Sequence, residues 1–213
     1  GGQIEVSATD GSIKEYTATH TILATGSRSR ELPNLKQDGK KVIGYRQAMV
    51  LPEQPKSLVV VGSGAIGVEF AYFYHAIGTK VTIIEYLDRI VPVEDDDISK
   101  QLIRSFKKMG IVVMTGANVE AVDTSGEGCK VQVKTAAGTE TIACDVVLSA
   151  VGISPNIENI GLEEAGVKTD KGRVLVDDFY KTNVNGVYAI GDSVKGQALA
   201  HVASAEGIIC VEK

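Results

Sequence analysis

The stretch Ser57–Phe73, SLVVVGSGAIGVEFAYF, limits what this chain can become more than any other feature. Its first half is a short apolar run, the pattern of a strand buried on both faces of a parallel sheet. That run ends in Gly62-Ser63-Gly64-Ala65-Ile66-Gly67. Ile66, Phe70, Phe73 and Ile77 then recur at helical spacing, which predicts one apolar helix face closed by Gly78. In a strand–turn–helix of this kind each glycine has a task. The first permits the tight turn, the second admits a pyrophosphate to the backbone, and the third lets helix and strand pack closely. The free N–H groups at the helix start face the phosphates.

Glycine-rich turns are common, so the spacing needs support from its surroundings. Glu85 supplies it at the end of a second apolar run, KVTIIE. A carboxylate there accepts hydrogen bonds from the ribose hydroxyls of an adenosine. It also repels a 2′-phosphate, and no arginine follows before Arg89, so the pattern favours NAD over NADP. Glu69, just inside the helix, reads first as a carboxylate stabilised by the positive helix end, by roughly a few tenths of a kcal/mol.

The neighbouring patterns extend this unit. A helix is expected over residues 98–109, stopped by Gly110, and IVVMTG makes a third strand, completing a βαβαβ half of a doubly wound sheet. The period then changes to two. NVEAVDT, CKVQVKT and ETIACD alternate like an antiparallel meander, with turns at Gly126-Glu127-Gly128 and Ala137-Gly138, before DVVLSAVG returns as a buried strand. Ahead of the unit, IEVSAT and IKEYTAT form a hairpin around Asp10-Gly11, followed by the strand HTILATG. Arg28 to Pro55 reads as an irregular connector. Beyond the unit, GVYAIGD is a strand ending in Gly191-Asp192, and Leu199 to Val211 is helical. The chain opens on Gly1-Gly2 without a Met and stops inside that last helix without a cap, as expected of a piece of a longer protein.

A net charge of −5 with no basic patch argues against nucleic acid. No apolar run approaches the roughly 20 residues a membrane helix needs. Cys129, Cys144 and Cys210 show no CxxC spacing and read as reduced thiols of a cytoplasmic protein. The three histidines are scattered and offer no metal site.

These residues resemble the flavin-dependent pyridine nucleotide–disulfide oxidoreductases, with the strongest likeness to the dihydrolipoamide dehydrogenase branch. The likeness runs through ILATGS, VVVGSGAIGVEFA, VTIIEYLDRIVPVEDDDISKQLIRSFKKMGI, VVLSAVGISPN and VYAIGDSVKGQALAHVASAEG. It implies an α/β fold in which a Rossmann-like NAD-binding domain with an antiparallel meander is inserted into an FAD-binding domain. On that pattern residues 1–47 are the tail of the first FAD segment, 48–150 the NAD domain, and 151–213 the returning FAD segment.

The resemblance also implies roles. Gly62, Gly64, Ala65, Ile66, Gly67 and Glu85 would hold NAD, with Ala65 as a gate over a nicotinamide pocket lined by Gly152. Asp192 would accept a hydrogen bond from the flavin ribityl chain, Ala198, Leu199 and Ala200 would pass close to the isoalloxazine, and Thr25 and Gly26 would contact the FAD edge. Glu69 would pair with a lysine that this chain lacks. Ile153 and Ser154 depart from the pattern, since the lipoamide enzymes commonly carry two arginines there.

The chain has no CxxxxC pair, no N-terminal glycine motif for FAD and no interface domain with its acid–base His. It is therefore expected to contain no catalytic residue, to bind NAD weakly and to hold no flavin by itself. The intact parent would be a homodimer that oxidises dihydrolipoyl groups with NAD through FAD and a redox disulfide, in the service of a 2-oxo acid dehydrogenase complex. Another flavoprotein disulfide reductase, an NADH oxidase, or a stand-alone NAD-binding module remain alternatives. Apolar surface left open by the absent part is expected to promote self-association.

Overall fold

The computed structural model describes residues 2–213. In chain order the first elements are β1 (Gly2–Ser7), β2 (Ile13–Ala18), β3 (Thr21–Leu23), β4 (Ser27–Ser29), β5 (Val42–Ile43) and the short helix α1 (Tyr45–Ala48). Next come β6 (Ser57–Val61), α2 (Ala65–Ala76), β7 (Lys80–Ile84), α3 (Asp96–Met109) and β8 (Val112–Met114). The meander is β9 (Asn118–Asp123), β10 (Cys129–Thr135) and β11 (Gly138–Cys144), followed by β12 (Val146–Ser149). The remainder is β13 (Ile153–Pro155), β14 (Thr169–Asp170), β15 (Arg173–Val174), β16 (Val187–Ala189), a 3₁₀ turn at Gly191–Ser193, and α4 (Ala200–Glu212).

Two compact units form, one from Ser29–Ile153 and one from Gly1–Arg28 with Ser154–Lys213. The expected boundaries lay after residues 47 and 150. The segment from Ser29 to Gln47 falls with the middle unit because Leu35, Val42 and Ile43 are buried in its cores. Asp38 shapes that connector: its Oδ1 accepts the backbone N–H groups of Lys40, Lys41 and Val42 and delivers Val42 into β5.

The middle unit is built on a parallel sheet of order β5-β12-β6-β7-β8. Successive side chains of a strand point to opposite faces, so adjacent valines serve different cores. Val60, Ile83 and Leu148 join Ala71 and Tyr74 of α2 and Phe106 of α3 in one core. Val59, Ile84 and Val147 face the other way, onto Val131 and Val133 of the meander, whose order is β11-β10-β9. Helices, parallel sheet and meander thus form three layers. The charge pattern of α3 suits its dipole, with Asp96 and Asp97 in the first turn and Lys107 and Lys108 in the last. Gly110 ends it in the left-handed conformation, at φ 95°.

Helix α2 turns a different face inward from the one its apolar spacing suggests. Gly67, Ala71 and Tyr74 are buried, whereas Phe73 and Ile77 are 51% and 45% exposed. Ile66 and Phe70 pack along the margin of the core. The cause is the contact made by Gly67: a Cβ there would lie 2.1 Å from the Gly62 carbonyl oxygen, so this position must face the strand. Residues four and seven further on follow it inward.

The flanking unit pairs β1 with β2 as the expected antiparallel hairpin and β3 with β16 in parallel. Its core gathers Leu162, Val167, Val174, Ala189 and Val194. Val6, Ile13 and Tyr16 of the hairpin, and Ile208 and Val211 of α4, are exposed.

The buried Tyr74 hydroxyl donates to the Ala48 carbonyl at 2.6 Å and ties α2 to the connector. Tyr74→Phe leaves that carbonyl without its donor and should cost about 1–3 kcal/mol, read as a lower urea midpoint with an unchanged m-value.

Candidate nucleotide-binding site

The glycine turn lies where the sheet reverses its order. From β6 the chain runs through α2 to β7 on one side, while β12 pairs on the other. Ligands of open α/β sheets bind at the carboxyl ends of the strands beside such a reversal. Gly62 adopts φ +98°, and a Cβ on it would stand 2.4 Å from the Ala150 carbonyl oxygen, so the turn is pressed against the end of β12. Gly64 differs. It is extended, at φ −67° and ψ −178°, and nothing lies within 4 Å of the Cβ it lacks. The space a side chain would fill is open to a phosphate. The first intrahelical bond of α2 runs from Val68 N–H to the Gly64 carbonyl. The N–H groups of Ala65, Ile66 and Gly67 therefore have no acceptor within the helix.

Glu85 is 7% exposed and carries three hydrogen bonds. Its Oε2 accepts the Ser63 backbone N–H at 2.8 Å and the Ser63 hydroxyl at 2.5 Å, and its Oε1 accepts the Leu87 N–H at 2.8 Å. The Ser63 carbonyl in turn accepts the Val91 N–H at 2.9 Å. Ser63 is fully buried, although in the sequence it is only the residue between Gly62 and Gly64. A hydroxyl one residue after the first glycine, opposite an acidic strand end, was the available signal. An ionised carboxylate offers about four acceptor positions, so this arrangement leaves about one, on Oε1. Gly152, at φ +109°, follows Ala150 by two residues, and its carbonyl accepts the Arg30 N–H at 3.0 Å. Glu69 is exposed on α2.

In the flanking unit the structure brings Thr25, Gly26 and Asp192 to one place. The Ser27 hydroxyl donates to Asp192 Oδ2 at 2.5 Å, and Asn156 donates from its backbone to Gly26 and from its side chain to Thr25. The Asp192 turn is held from two further directions. Arg173 donates to the carbonyls of Asp192 and Val194 at 3.1 and 2.6 Å, and buried Glu206 of α4 accepts the Gly191 N–H at 2.6 Å. Neither Arg173 nor Glu206 stood out in the sequence. Ala198, Leu199 and Ala200 are exposed and lead into α4, with Leu199 as its N-cap. Nearby, Arg28 forms a two-pronged pair with Glu158 at 2.9 Å for each contact. The guanidinium holds the Glu158 carboxyl at about 2, below its ordinary 4.5. Among the described residues no group of three or more His, Cys, Asp or Glu side chains could hold a metal ion, and no helix is long and apolar enough to cross a membrane.

A parallel sheet with a glycine turn at its reversal and an acid closing the next strand defines a Rossmann-like fold. The family model described as pyridine nucleotide-disulphide oxidoreductase matches residues 2–207, and the chain belongs to that family. A dihydrolipoyl dehydrogenase of Rhizobium etli is 47% identical over 93% of this chain and 41% of its own length. A leghemoglobin reductase of Glycine max is 44% identical over 99% of this chain and 41% of its own. Among solved structures, LpdA from Mycobacterium tuberculosis superposes with a TM-score of 0.86 at 34% identity, over 96% of this chain and 44% of that one. A NAD-dependent persulfide reductase from A. fulgidus gives 0.85 at 26% identity, over 98% of this chain and 41% of that one. The chain thus spans less than half the length of each of these four relatives.

Gly67→Ala forces a methyl into the Gly62 carbonyl and should destabilise the protein by about 1–3 kcal/mol in urea unfolding. Gly64→Ala, in open space, should change stability by less than about 0.5 kcal/mol while weakening dinucleotide binding in calorimetry. For Glu158 the folded carboxyl titrates below its unfolded value. Its contribution to stability is therefore complete above about pH 4.5 and lost as the pH falls toward 2. Carboxyl NMR should place the Glu158 midpoint near 2 in the native chain and return it toward 4.5 in Arg28→Gln.

Proposed function

We propose that this chain is the NAD-binding central portion of a dihydrolipoyl dehydrogenase. The observation that carries the reading is Glu85, fixed at the end of β7 by Ser63 and Leu87 and facing the glycine turn. Gly62, Gly64 and Gly67 would seat the pyrophosphate over the start of α2, and the remaining acceptor position of Glu85 would take an adenosine ribose hydroxyl. A 2′-phosphate in that place would set a second anion against a buried carboxylate, which favours NAD over NADP. Ala65, Ile66 and Gly152 would border the nicotinamide, which supplies the hydride-accepting carbon when NAD is bound.

In the whole enzyme, Thr25, Gly26, Asp192, Ala198, Leu199 and Ala200 would meet the flavin edge. The exposed backbone before α4 and the bare Gly26, with nothing within 4 Å of its missing Cβ, suit a flat ring system. This chain by itself would hold no flavin and catalyse no turnover. The whole protein would act as a homodimer, oxidising dihydrolipoyl groups for a 2-oxo acid dehydrogenase complex in the cytoplasm. The name dihydrolipoyl dehydrogenase, carried by relatives at 41–47% identity, supports the dihydrolipoyl part of that assignment. Two plant relatives are named as mitochondrial. Ile153 and Ser154 favour a second reading, a sister disulfide reductase of the same family.

Calorimetric titration of the chain should show NAD binding at least about tenfold tighter than NADP, about 1.4 kcal/mol. Glu85→Ala should weaken NAD and narrow that gap. Equal affinities in the native chain would refute the NAD reading, and flavin absorbance in the purified chain would refute the no-flavin reading.

A further inference from the structure

The meander carries two thiols that the nucleotide site does not use. Cys129 is the first residue of β10 and Cys144 the last of β11, and they are direct partners in the antiparallel register. Directly opposed residues share a face of the sheet. Both cysteines are buried in the same core cluster, and the Cys129 thiol donates to the Lys41 and Asp145 carbonyls at 3.7 Å. Opposed Cα atoms of antiparallel strands lie about 4.5–5.5 Å apart. A disulfide accepts Cα separations of about 4.4–6.8 Å, so the backbone has little distance to close.

The pair sits at the open end of the hairpin, away from the Ala136-Ala137 turn and beside the glycine-containing loop from Ser125 to Gly128. Gly128 presses against Cys144, since a Cβ on it would stand 2.6 Å from the Cys144 carbonyl oxygen. A cavity of about 440 Å³ adjoins this end and is lined by both cysteines. Among its other lining residues are Asp123, Glu127 and Asp145, against the ammonium groups of Lys130 and of Lys41, whose Nζ donates to the Gly126 carbonyl on the cavity wall.

We propose that Cys129 and Cys144 form a dithiol site that small cationic disulfides oxidise to a cross-strand disulfide. The size of the cavity suits a short linear reagent, and its excess of carboxylates favours a cation. Burial pushes both thiols up, Cys144 to about 12, while Lys41 draws Cys129 part of the way back. Cys129 is therefore the first nucleophile, and the reaction is slow because little thiolate is present. The Cys129 thiolate attacks one sulfur of the reagent, the reagent's S–S bond breaks, and one half leaves and takes up a proton. The Cys144 thiolate then attacks the Cys129 sulfur of the mixed disulfide and expels the second half as a thiol. The two cysteines lose two electrons and two protons, and the reagent gains both.

This inference does not depend on nucleotide binding, and Cys210, buried in the other unit, serves as an internal control. The native chain is incubated with cystamine or with oxidised glutathione at equal concentration, quenched with acid, denatured, alkylated and mapped by mass spectrometry. The expected product is a chain lighter by two hydrogens, with a linked Cys129–Cys144 peptide, an alkylated Cys210 and reversal by dithiothreitol. Cystamine should react at least several-fold faster than the anionic glutathione disulfide, and Cys144→Ser should stop at a mixed disulfide on Cys129. If all three cysteines remain alkylatable, or if Cys210 alone is consumed, the dithiol assignment is overturned. Equal rates with the two reagents would overturn the cavity as the route of entry. Because the linked peptide is sought in the native chain, a variant that fails to fold does not remove the test.

Discussion

The nearest approach of α2 to β6, where Gly67 meets the Gly62 carbonyl, sets the geometry on which the middle unit depends. With no side chain between them, helix and strand settle closer than any other residue allows. That contact fixes the rotation of α2 about its axis. Ala71 and Tyr74 follow Gly67 into the core, and the Tyr74 hydroxyl reaches the Ala48 carbonyl. It also aims the free N–H groups of the helix start across Gly64. On its other side the same turn rests against the Ala150 carbonyl, so one short loop organises β6, α2 and the end of β12.

A buried carboxylate is costly unless hydrogen bonds replace its lost water. Glu85 meets that condition by binding the turn itself, through two donors of Ser63, and the chain just beyond, through Leu87. The side chain is thereby a tie between β7 and the glycine loop. The proposed ribose contact would draw on the same lone pairs, so a ligand's hydroxyls would share Glu85 with the fully buried Ser63.

The flanking unit shows the same economy with longer connections. Ser27, Arg173 and Glu206 converge on the turn that presents Asp192, each from a different stretch of chain. Gly191 has φ +67°, a conformation in which glycine is at ease, and its N–H finds an acceptor in Glu206. An acid on a helix, an arginine in a two-residue strand and a serine at the start of β4 have no common sequence signature. Their role exists only after β3 and β16 have paired.

Much of the architecture was legible in the residues because the signals involved are local. Buried runs predicted the parallel strands, alternation predicted the meander, and Gly110 predicted the end of α3. The glycine spacing together with Glu85 identified the turn that lies at the sheet's reversal. Other features lay beyond local reading. The connector from Ser29 to Gln47 looked irregular, yet it supplies β5 and buries Leu35, Val42 and Ile43 across two cores. The apolar spacing of α2 pointed to Phe73 and Ile77, but a backbone contact overruled it. Side-chain pattern and chain order were thus determined by the sequence alone. The tertiary structure decided which face was buried, which donors reached Glu85 and Asp192, and that Cys129 would stand opposite Cys144. The physical reason is that close packing and hydrogen-bond satisfaction act between atoms distant in the chain, and no local pattern records them.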